Sequence, residues 1–324
     1  KEVYFDSDTK LGILSGAPAD DAANWFLTNK EMHRAQTLMD DLCGSRRMWS
    51  QAIVRPGTPG WLDEMDRCVA EQKPISWKGY TVGDPLSNSD FPYRLDDEKL
   101  MYPAYEKMVK SGIKTFCIHK GLLPNDYADN FHAWKHAMVD DVGKAAKDWP
   151  GINFIIFHSG LKPLNDYPQD HLDKFKKTGR IDWVSDLAEI PAKYGVTNVY
   201  AELGSCFANC VISHPQHAAG LLGTLIKGMG EDHLIWGTDS VWYGSPQWQI
   251  EAFRRMEIPE EMRETFAFKA LGGDDSDVKR KIFGLNICKI HGFDPNDLSK
   301  QGVNLKDDKL QKAREAYLKE GADR

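Results

Sequence analysis

The sequence predicts an α/β fold whose centre is a parallel sheet, and three observations lead to that prediction. Apolar, strand-like runs alternate with helix-like segments along nearly the whole chain of 324 residues. Three of these runs end in a polar side chain, at His119, His158 and Asp239. No glycine-serine linker, internal repeat or low-complexity tract interrupts the alternation. Strands that alternate with helices form parallel sheets, whose carboxyl edge binds ligands, so the three polar side chains are expected to meet there.

Seven strands are predicted from short apolar runs that end at polar or turn residues. The second run ends at Pro56 and Gly57, and the third precedes a long loop that contains Pro85 and Pro92. Loops of that length inside a compact domain are usually functional. In chain order the predicted strands are residues 3–6, 49–54, 75–82, 115–119, 153–158, 198–202 and 234–239.

Six helices are predicted between these strands from apolar residues at helical spacing, as at Trp61, Met65 and Cys68. They cover residues 22–42, 60–71, 98–110, 131–147, 183–193 and 215–229. A charged helix at 305–318 lies in a tail of about residues 296–324. Since no linker divides the chain, residues 1–324 are predicted to form one domain.

Composition excludes several classes of protein. The chain has 41 basic and 48 acidic residues and a net charge of −7, which argues against nucleic acid or an anionic membrane as a partner. No apolar run approaches the roughly 20 residues of a membrane-spanning helix. We therefore expect no membrane insertion, and the compartment stays open between cytoplasm and periplasm. A small-molecule substrate and a homo-oligomer are separate expectations.

The six cysteines are too few for a disulfide framework in a chain of this length. Packing is the simplest interpretation for most of them. Cys206 and Cys210 flank a loop after a strand, and a disulfide between them or a place beside the site both stay open.

Strand parity indicates which side chains point inward, because alternate residues of a strand face opposite sides. Ser76, Lys78 and Tyr80 share one face and Trp77 lies on the other. Apolar residues should meet the helices, so Lys78 is predicted to point to the interior. A buried lysine is rare unless it is paired or chemically used. His119 is predicted to face inward by the same argument.

Four short segments are typical of a known family in their order and in their placement at strand ends. They are Ile118-His-Lys-Gly121, Phe157-His-Ser-Gly160, Trp236-Gly-Thr-Asp239 and Phe283-Gly-Leu-Asn286. With these segments, from about residue 113 to 290, the chain resembles the amidohydrolase superfamily. Within it, the chain looks most like the amidohydrolase-related group that includes aminocarboxymuconate-semialdehyde decarboxylase-like enzymes.

The resemblance implies a (β/α)₈ barrel, also called a TIM barrel, with a divalent metal at its mouth. Zinc is the first expectation, with manganese or iron as alternatives. The superfamily takes ligands from a His-x-His triplet on strand one, a His on strand five, often a His on strand six, and an Asp on strand eight. These positions correspond to His119, His158 and Asp239 if the seven predicted strands are strands two to eight. Lys78 then falls on strand four, where some members carry a carboxylated lysine that bridges two metals.

The His-x-His triplet itself is absent from the 324 residues. Either it lies on an upstream segment or this protein lacks it. A seven-stranded barrel would expose two unpaired edges, which natural proteins avoid. We therefore expect an upstream first strand that carries the triplet and completes the barrel.

Each candidate site residue has a functional interpretation and a simpler one. His119 and His158 are expected as metal ligands, with His158 also catalytic, although core histidines bonded to backbone are common. Asp239 is expected to bind the metal and take a proton from its water, and otherwise to cap the next helix. Lys78 is the fourth candidate ligand, and otherwise a salt-bridged or substrate-binding lysine. Four residues are candidate substrate contacts at the mouth, against ion-paired or solvated alternatives: Glu202, Lys120, Trp242 and Arg55.

These assignments predict a metal-dependent hydrolase that cleaves a C–O or C–N bond of a small organic molecule through a metal-activated water. One alternative is a metal-dependent, non-oxidative decarboxylase of an aromatic or enoic acid. Another, from a different class, is a metal-free barrel that acts as a binding or scaffold subunit.

Overall fold

The fold is given by a computed structural model that describes residues 1–123, 127–162, 168–306 and 309–320. Eight short strands are present: β1 (Gly12–Leu14), β2 (Met48–Ser50), β3 (Ala52–Ile53), β4 (Trp77–Tyr80), β5 (Thr115–His119), β6 (Asn153–Phe157), β7 (Val199–Glu202) and β8 (Leu234–Ile235). All ladders are parallel. One ladder joins β1 to β2, and a six-stranded sheet runs in sequence order from β3 to β8.

The two sheets are continuous, because β2 of the first and β3 of the second are separated only by Gln51. Its backbone N–H donates to the carbonyl of Leu14 at 3.0 Å, and the next N–H, of Ala52, donates to Ser76 at 3.1 Å. The stretch 48–53 therefore occupies one strand position, and the sheet has seven positions in sequence order. In the part of the chain that the structure describes, no ladder joins β8 to β1.

Helices surround the sheet and connect its strands. They are α1 (Asn29–Cys43), α2 (Trp61–Arg67), α3 (Tyr102–Ser111), α4 (Tyr127–Asn130), α5 (Val142–Asp148), α6 (Pro168–Thr178), α7 (Val184–Tyr194), α8 (Cys206–Ser213), α9 (Pro215–Met229), α10 (Ser240–Tyr243), α11 (Gln247–Arg255), α12 (Glu260–Phe266), α13 (Asp277–Arg280), α14 (Asn286–Ile290) and α15 (Lys309–Glu320). Short 3-10 or π turns fill several of the connections. No helix among the described residues is long and apolar enough to cross a membrane.

Burial follows the strand parity that the sequence predicts. Phe116 and Ile118 are buried in the main core together with residues of the surrounding helices. Cys117, between them, belongs to a separate cluster that includes Ile155 and Ile235 of β6 and β8. Side chains such as Phe116 and Ile118 thus fill the layer between sheet and helices, and those between them, such as Cys117, fill the interior of the curved sheet.

The first predicted strand, residues 3–6, is wrong. Those residues form a turn, in which the N–H of Phe5 donates to the carbonyl of Lys1 at 2.8 Å. The Phe5 ring packs 5.5 Å from the ring of Tyr317 on α15, so its apolar surface is partly covered by the last helix. The first strand is β1, which begins at Gly12, six residues after the end of the predicted strand.

The helix predicted at 131–147 is wrong over its first half. A 3-10 turn spans Trp134–Ala137, and the α-helix begins at Val142. The reason is that other groups take the carbonyls of this segment. The carbonyl of His136 accepts from Thr81 and Lys120, and that of Ala137 accepts from the N–H of Gly121. The other predicted helices exist, but the one predicted at 22–42 begins only at Asn29, after a separate 3-10 turn at Ala22–Asn24.

Candidate active site

Two histidines lie side by side at the carboxyl edge of the sheet. His119 ends β5, in register with Tyr80 and Phe157, and His158 follows β6 directly. His119 Nδ1 lies 3.0 Å from His158 Nε2. The outer ring nitrogens contact backbone carbonyls: His119 Nε2 lies 3.1 Å from Gly121 O and His158 Nδ1 lies 2.8 Å from Gly204 O. Because a carbonyl only accepts, each outer nitrogen carries the hydrogen, and in the neutral rings the two facing nitrogens carry lone pairs.

The surroundings keep both rings neutral near pH 7. Burial, and then the proximity of His158 and Lys78, hold the pKa of His119 well below its usual range. Burial lowers the pKa of His158 to about 4, although the Asp239 carboxylate opposes this shift. Two lone pairs 3.0 Å apart repel each other unless a cation lies between them. Histidines that donate their other N–H to a carbonyl are typical metal ligands, so the pair fits a metal ion.

Asp239 lies on the same edge, after β8, in a left-handed backbone conformation with φ of 51°. Its Oδ2 accepts a hydrogen bond from the Ser205 hydroxyl at 2.5 Å. Asp239 is the N-cap residue of α10, but its side chain makes no capping bond. The described residues contain no group of three or more His, Cys, Asp or Glu placed to hold a metal. The structure thus brings the two predicted histidine ligands together and leaves Asp239 near them, outside a complete ligand set.

Lys78 points into the sheet interior, as strand parity predicts, and is 1% exposed. Its Nζ lies 3.4 Å from the centre of the Phe157 ring and 4.8 Å from that of Tyr80. It makes no hydrogen bond or ion pair with the described residues. Burial lowers its pKa to about 8, although Cys117, Glu202 and Asp239 oppose the shift. Its predicted role as a metal-bridging lysine stays a prediction.

Glu202, predicted as a substrate contact, accepts hydrogen bonds from backbone N–H groups that follow β6 and β7. One carboxylate oxygen accepts from the N–H of His158 at 3.0 Å, and the other from the N–H of Gly204 at 2.7 Å. Burial raises its pKa to about 7, against these two hydrogen bonds. Gly237 packs against it so closely that an added Cβ would lie 1.4 Å from Oε1.

The other three predicted substrate residues each have a protein partner of their own. Lys120, predicted at the mouth, is fully buried, and its Nζ lies 2.8 Å from an Asp141 oxygen and 2.7 Å from the carbonyl of His136. Loop position misled the prediction, because this lysine turns inward to a buried carboxylate. Arg55 is ion-paired with Asp20 at 2.7 Å.

Trp242 is 59% exposed and packs edge-on against the ring of Phe26, at 5.5 Å between centroids. Nothing in this geometry ties it to a ligand. The two cysteines considered for a disulfide, Cys206 and Cys210, are buried free thiols. They pack in the main core, and the Cys206 thiol lies 3.7 Å from the Ser159 hydroxyl, beside the site.

Sequence reasoning missed two serines that shape the site. Ser159 and Ser205 both have positive φ, of 51° and 57°, like their neighbours His158 and Asp239. Non-glycine residues in this region are uncommon and are strained when the backbone is held there. Four such residues at the ends of β6, β7 and β8 mark this edge as a place where unusual backbone geometry is maintained. The sequence signal is weak, because a serine after a strand is ordinary in a turn.

Comparisons with known proteins agree with this architecture. The profile of a family described as amidohydrolase matches residues 15–293. An uncharacterised TIM-barrel protein from Bordetella bronchiseptica is similar with a TM-score of 0.55 and 13% identity, over 87% of this chain and 78% of that chain. A structure described as amidohydrolase II is similar with a TM-score of 0.50 and 15% identity, over 89% and 85%.

A third solved structure, 2,6-dihydroxybenzoate decarboxylase from Rhizobium, is similar with a TM-score of 0.48 and 15% identity, over 87% of this chain and 84% of that chain. No curated protein sequence matches the chain significantly. The likeness to a TIM-barrel protein and the parallel, consecutive strand order confirm the predicted fold class. Because the family profile covers most of its length, the chain belongs to the amidohydrolase family.

Proposed function

We propose that this chain is a metal-dependent hydrolase that acts on a small organic molecule at the carboxyl edge of its sheet. The observation that carries the proposal is the pair of facing nitrogens, His119 Nδ1 and His158 Nε2, at 3.0 Å. Both outer nitrogens are tied to carbonyls, which fixes the tautomers that leave these lone pairs available. The amidohydrolase superfamily generally depends on divalent metals, and this site has the donor chemistry for one.

A metal would be held by His119 and His158, with the Asp239 carboxylate as the third donor on the same edge. Imidazole and carboxylate ligands suit zinc, which we propose first, and also manganese or iron. When bound, such an ion lowers the pKa of a coordinated water and polarises a substrate carbonyl.

Asp239 is the proposed general base. Its Oδ2 is held by the Ser205 hydroxyl, so Oδ1 is the oxygen proposed to accept a proton from the attacking water. Glu202 is proposed to hold the His158 backbone and the Gly204 loop in place, because both of its oxygens are engaged by backbone N–H groups.

A decarboxylase is the second candidate, and Lys78 is the observation that favours it. A buried cation without a described ion-pair partner is costly unless a ligand supplies an anion. A carboxylic acid substrate would supply that anion, and a neutral ester or amide would not. The two candidates differ in product, since only the decarboxylase releases CO₂.

The test is a turnover screen on chelator-stripped protein reloaded with zinc, manganese or iron. The panel contains esters, amides, lactones and aromatic or enoic acids. The proposal predicts hydrolysis that is lost on stripping and restored by reloading. Release of CO₂ without hydrolysis would replace the hydrolase with the decarboxylase. No bound metal and no turnover would leave the third possibility, a metal-free binding or scaffold subunit.

A further inference from the structure

We propose that the turn at residues 204–206 is a positioning device for the site, with Ser205 as its positioning residue. The backbone of the turn binds the His158 ring through the Gly204 carbonyl, and the Ser205 hydroxyl binds Asp239. This inference rests on the proposed function, because it assigns Ser205 to the same histidine and carboxylate.

The turn is a γ-turn of the rare class with positive φ at its central residue. Ser205 has φ of 57° and ψ of −46°, and the N–H of Cys206 donates to the carbonyl of Gly204 at 2.6 Å. Such turns are strained for any residue with a Cβ. Ser205 is only 5% exposed, so packing holds it there. Glycine would fit this conformation with less strain, yet the chain carries serine.

The strained turn contacts side chains that follow two different strands, β6 and β8. The carbonyl of Gly204 accepts from His158 Nδ1–H at 2.8 Å, which sets the tautomer of that ring. The Ser205 hydroxyl donates to Asp239 Oδ2 at 2.5 Å, which holds the carboxylate that follows β8. The N–H of Gly204 donates to Glu202, so the turn is itself anchored to β7. A single turn therefore sets the orientation of an imidazole and a carboxylate.

A purely structural explanation would make Ser205 the cap of α8, which begins at the next residue. Serine is a preferred N-cap because its hydroxyl accepts from a backbone N–H in the first turn. Ser205 occupies the N-cap position of α8, but its side chain makes no capping bond. The hydroxyl donates to Asp239 instead. The side chain is thus directed to the site, and α8 begins without its help.

The experiment separates the hydroxyl from the backbone strain with two variants of the full chain. Ser205→Ala removes the hydroxyl and keeps the Cβ, and Ser205→Gly removes both. Lys73→Gly is the control, because Lys73 is exposed, has φ of 48° and lies at the end of a π turn away from the site. Each protein is measured for melting temperature, zinc affinity by chelator competition, kcat and KM. The His158 Nδ1–H proton is followed by NMR.

The inference predicts that Ser205→Gly melts above Ser205→Ala, because glycine relieves the strain. Both variants should nevertheless lose about 10-fold in kcat with little change in KM, and about 10–100-fold in zinc affinity, as for other residues that orient metal ligands. The slowly exchanging His158 Nδ1–H signal should persist in Ser205→Ala, whose turn is intact. Lys73→Gly should keep wild-type kcat and zinc affinity.

Three results would overturn the inference. One is a Ser205→Ala variant with wild-type kcat and zinc affinity. Another is a set of activities that follows melting temperature, with Ser205→Gly near wild type, which would make the serine structural. The last is a Ser205→Gly variant that melts below Ser205→Ala, which would remove the strain argument. If wild-type protein binds no zinc and turns over no substrate, the proposed function fails instead. The relative melting temperatures of the two Ser205 variants and the His158 Nδ1–H signal would still test the strained turn.

Discussion

Asp141→Asn should strongly destabilise the protein, because it leaves the Lys120 ammonium buried without a counter-charge. Lys120 is fully buried, and its Nζ lies 2.8 Å from an Asp141 oxygen. Breaking a buried ion pair by removing one partner typically costs about 3–5 kcal/mol. The loss has a ceiling, because the lysine can give up its proton. At pH 7 that costs about 1.36 kcal/mol for each of the roughly 3.4 pH units below its reference pKa, or about 4.6 kcal/mol.

The loss of stability in Asp141→Asn also depends on pH. Burial lowers the pKa of Lys120, and the Asp141 carboxylate opposes that shift. In Asp141→Asn the pKa of Lys120 falls further, so the native state binds fewer protons than the unfolded state, and stability rises with pH toward the unfolded lysine pKa. We therefore expect Asp141→Asn to lower the free energy of unfolding by about 3–4.6 kcal/mol at pH 7. At pH 9 the expected decrease is about 2 kcal/mol, because deprotonating Lys120 costs less there.

Urea unfolding at the two pH values measures both losses. Asp140→Asn is the matched control, since the neighbouring Asp140 forms an exposed pair with Arg94 at 2.9 Å. Exposed pairs contribute about 0–1 kcal/mol, so this control should unfold nearly as the wild type does. A loss below about 1 kcal/mol in Asp141→Asn, or one that grows toward pH 9, would refute the buried pair and return Lys120 to the list of possible substrate contacts.

Three further predictions concern the site and its surroundings. Asp239→Asn should lower turnover by roughly 10²–10⁴-fold, the usual share of a general base, with little change in melting temperature; unchanged turnover with a large loss of stability would make Asp239 structural. Gly237→Ala should lower stability by about 1–3 kcal/mol and turnover with it, since its Cβ would lie 1.4 Å from Glu202 Oε1, whereas Gly273→Ala, which meets nothing within 4 Å, should be neutral in thermal unfolding. Burial, with His171 and His214 adding to it, lowers the pKa of His217 to about 4, so its contribution to stability is complete above about pH 6.5 and is lost as pH falls toward 4. His217→Gln should therefore flatten the decline of melting temperature across that window, and an unchanged decline would place the histidine in solvent.

The fold could be predicted because its signals are local. β5 and β6 are each five consecutive, mostly apolar residues. Their ends, at His119 and next to His158, can be located to within one residue. The first strand could not, because residues 3–6 have strand-like composition but pack Phe5 against a helix more than 300 positions away. The break before α5 also has a distant cause, since Thr81 takes the carbonyl that a continuous helix would need.

The site could be predicted in its position and only partly in its roles. Strand ends placed His119, His158 and Asp239 on one edge, and the assignment of metal ligands remains a prediction. The backbone partners of Glu202 could not be predicted, because they lie on loops whose path the sequence does not determine, and its role as a substrate contact stays a prediction. Ser205 was missed because the sequence reveals neither its positive φ angle nor its hydrogen bond to Asp239, which lies after the neighbouring strand.

Metal stoichiometry in four matched proteins tests the central claim most directly. Wild type, His119→Ala, His158→Ala and His217→Ala are purified, exposed to zinc, manganese or iron, desalted and analysed for bound metal. His217 is the control because it is a buried histidine outside the site. The account predicts about one equivalent or more in wild type and His217→Ala, and a large loss in both site variants. Wild-type protein without metal, or site variants that retain it in full, would contradict the account.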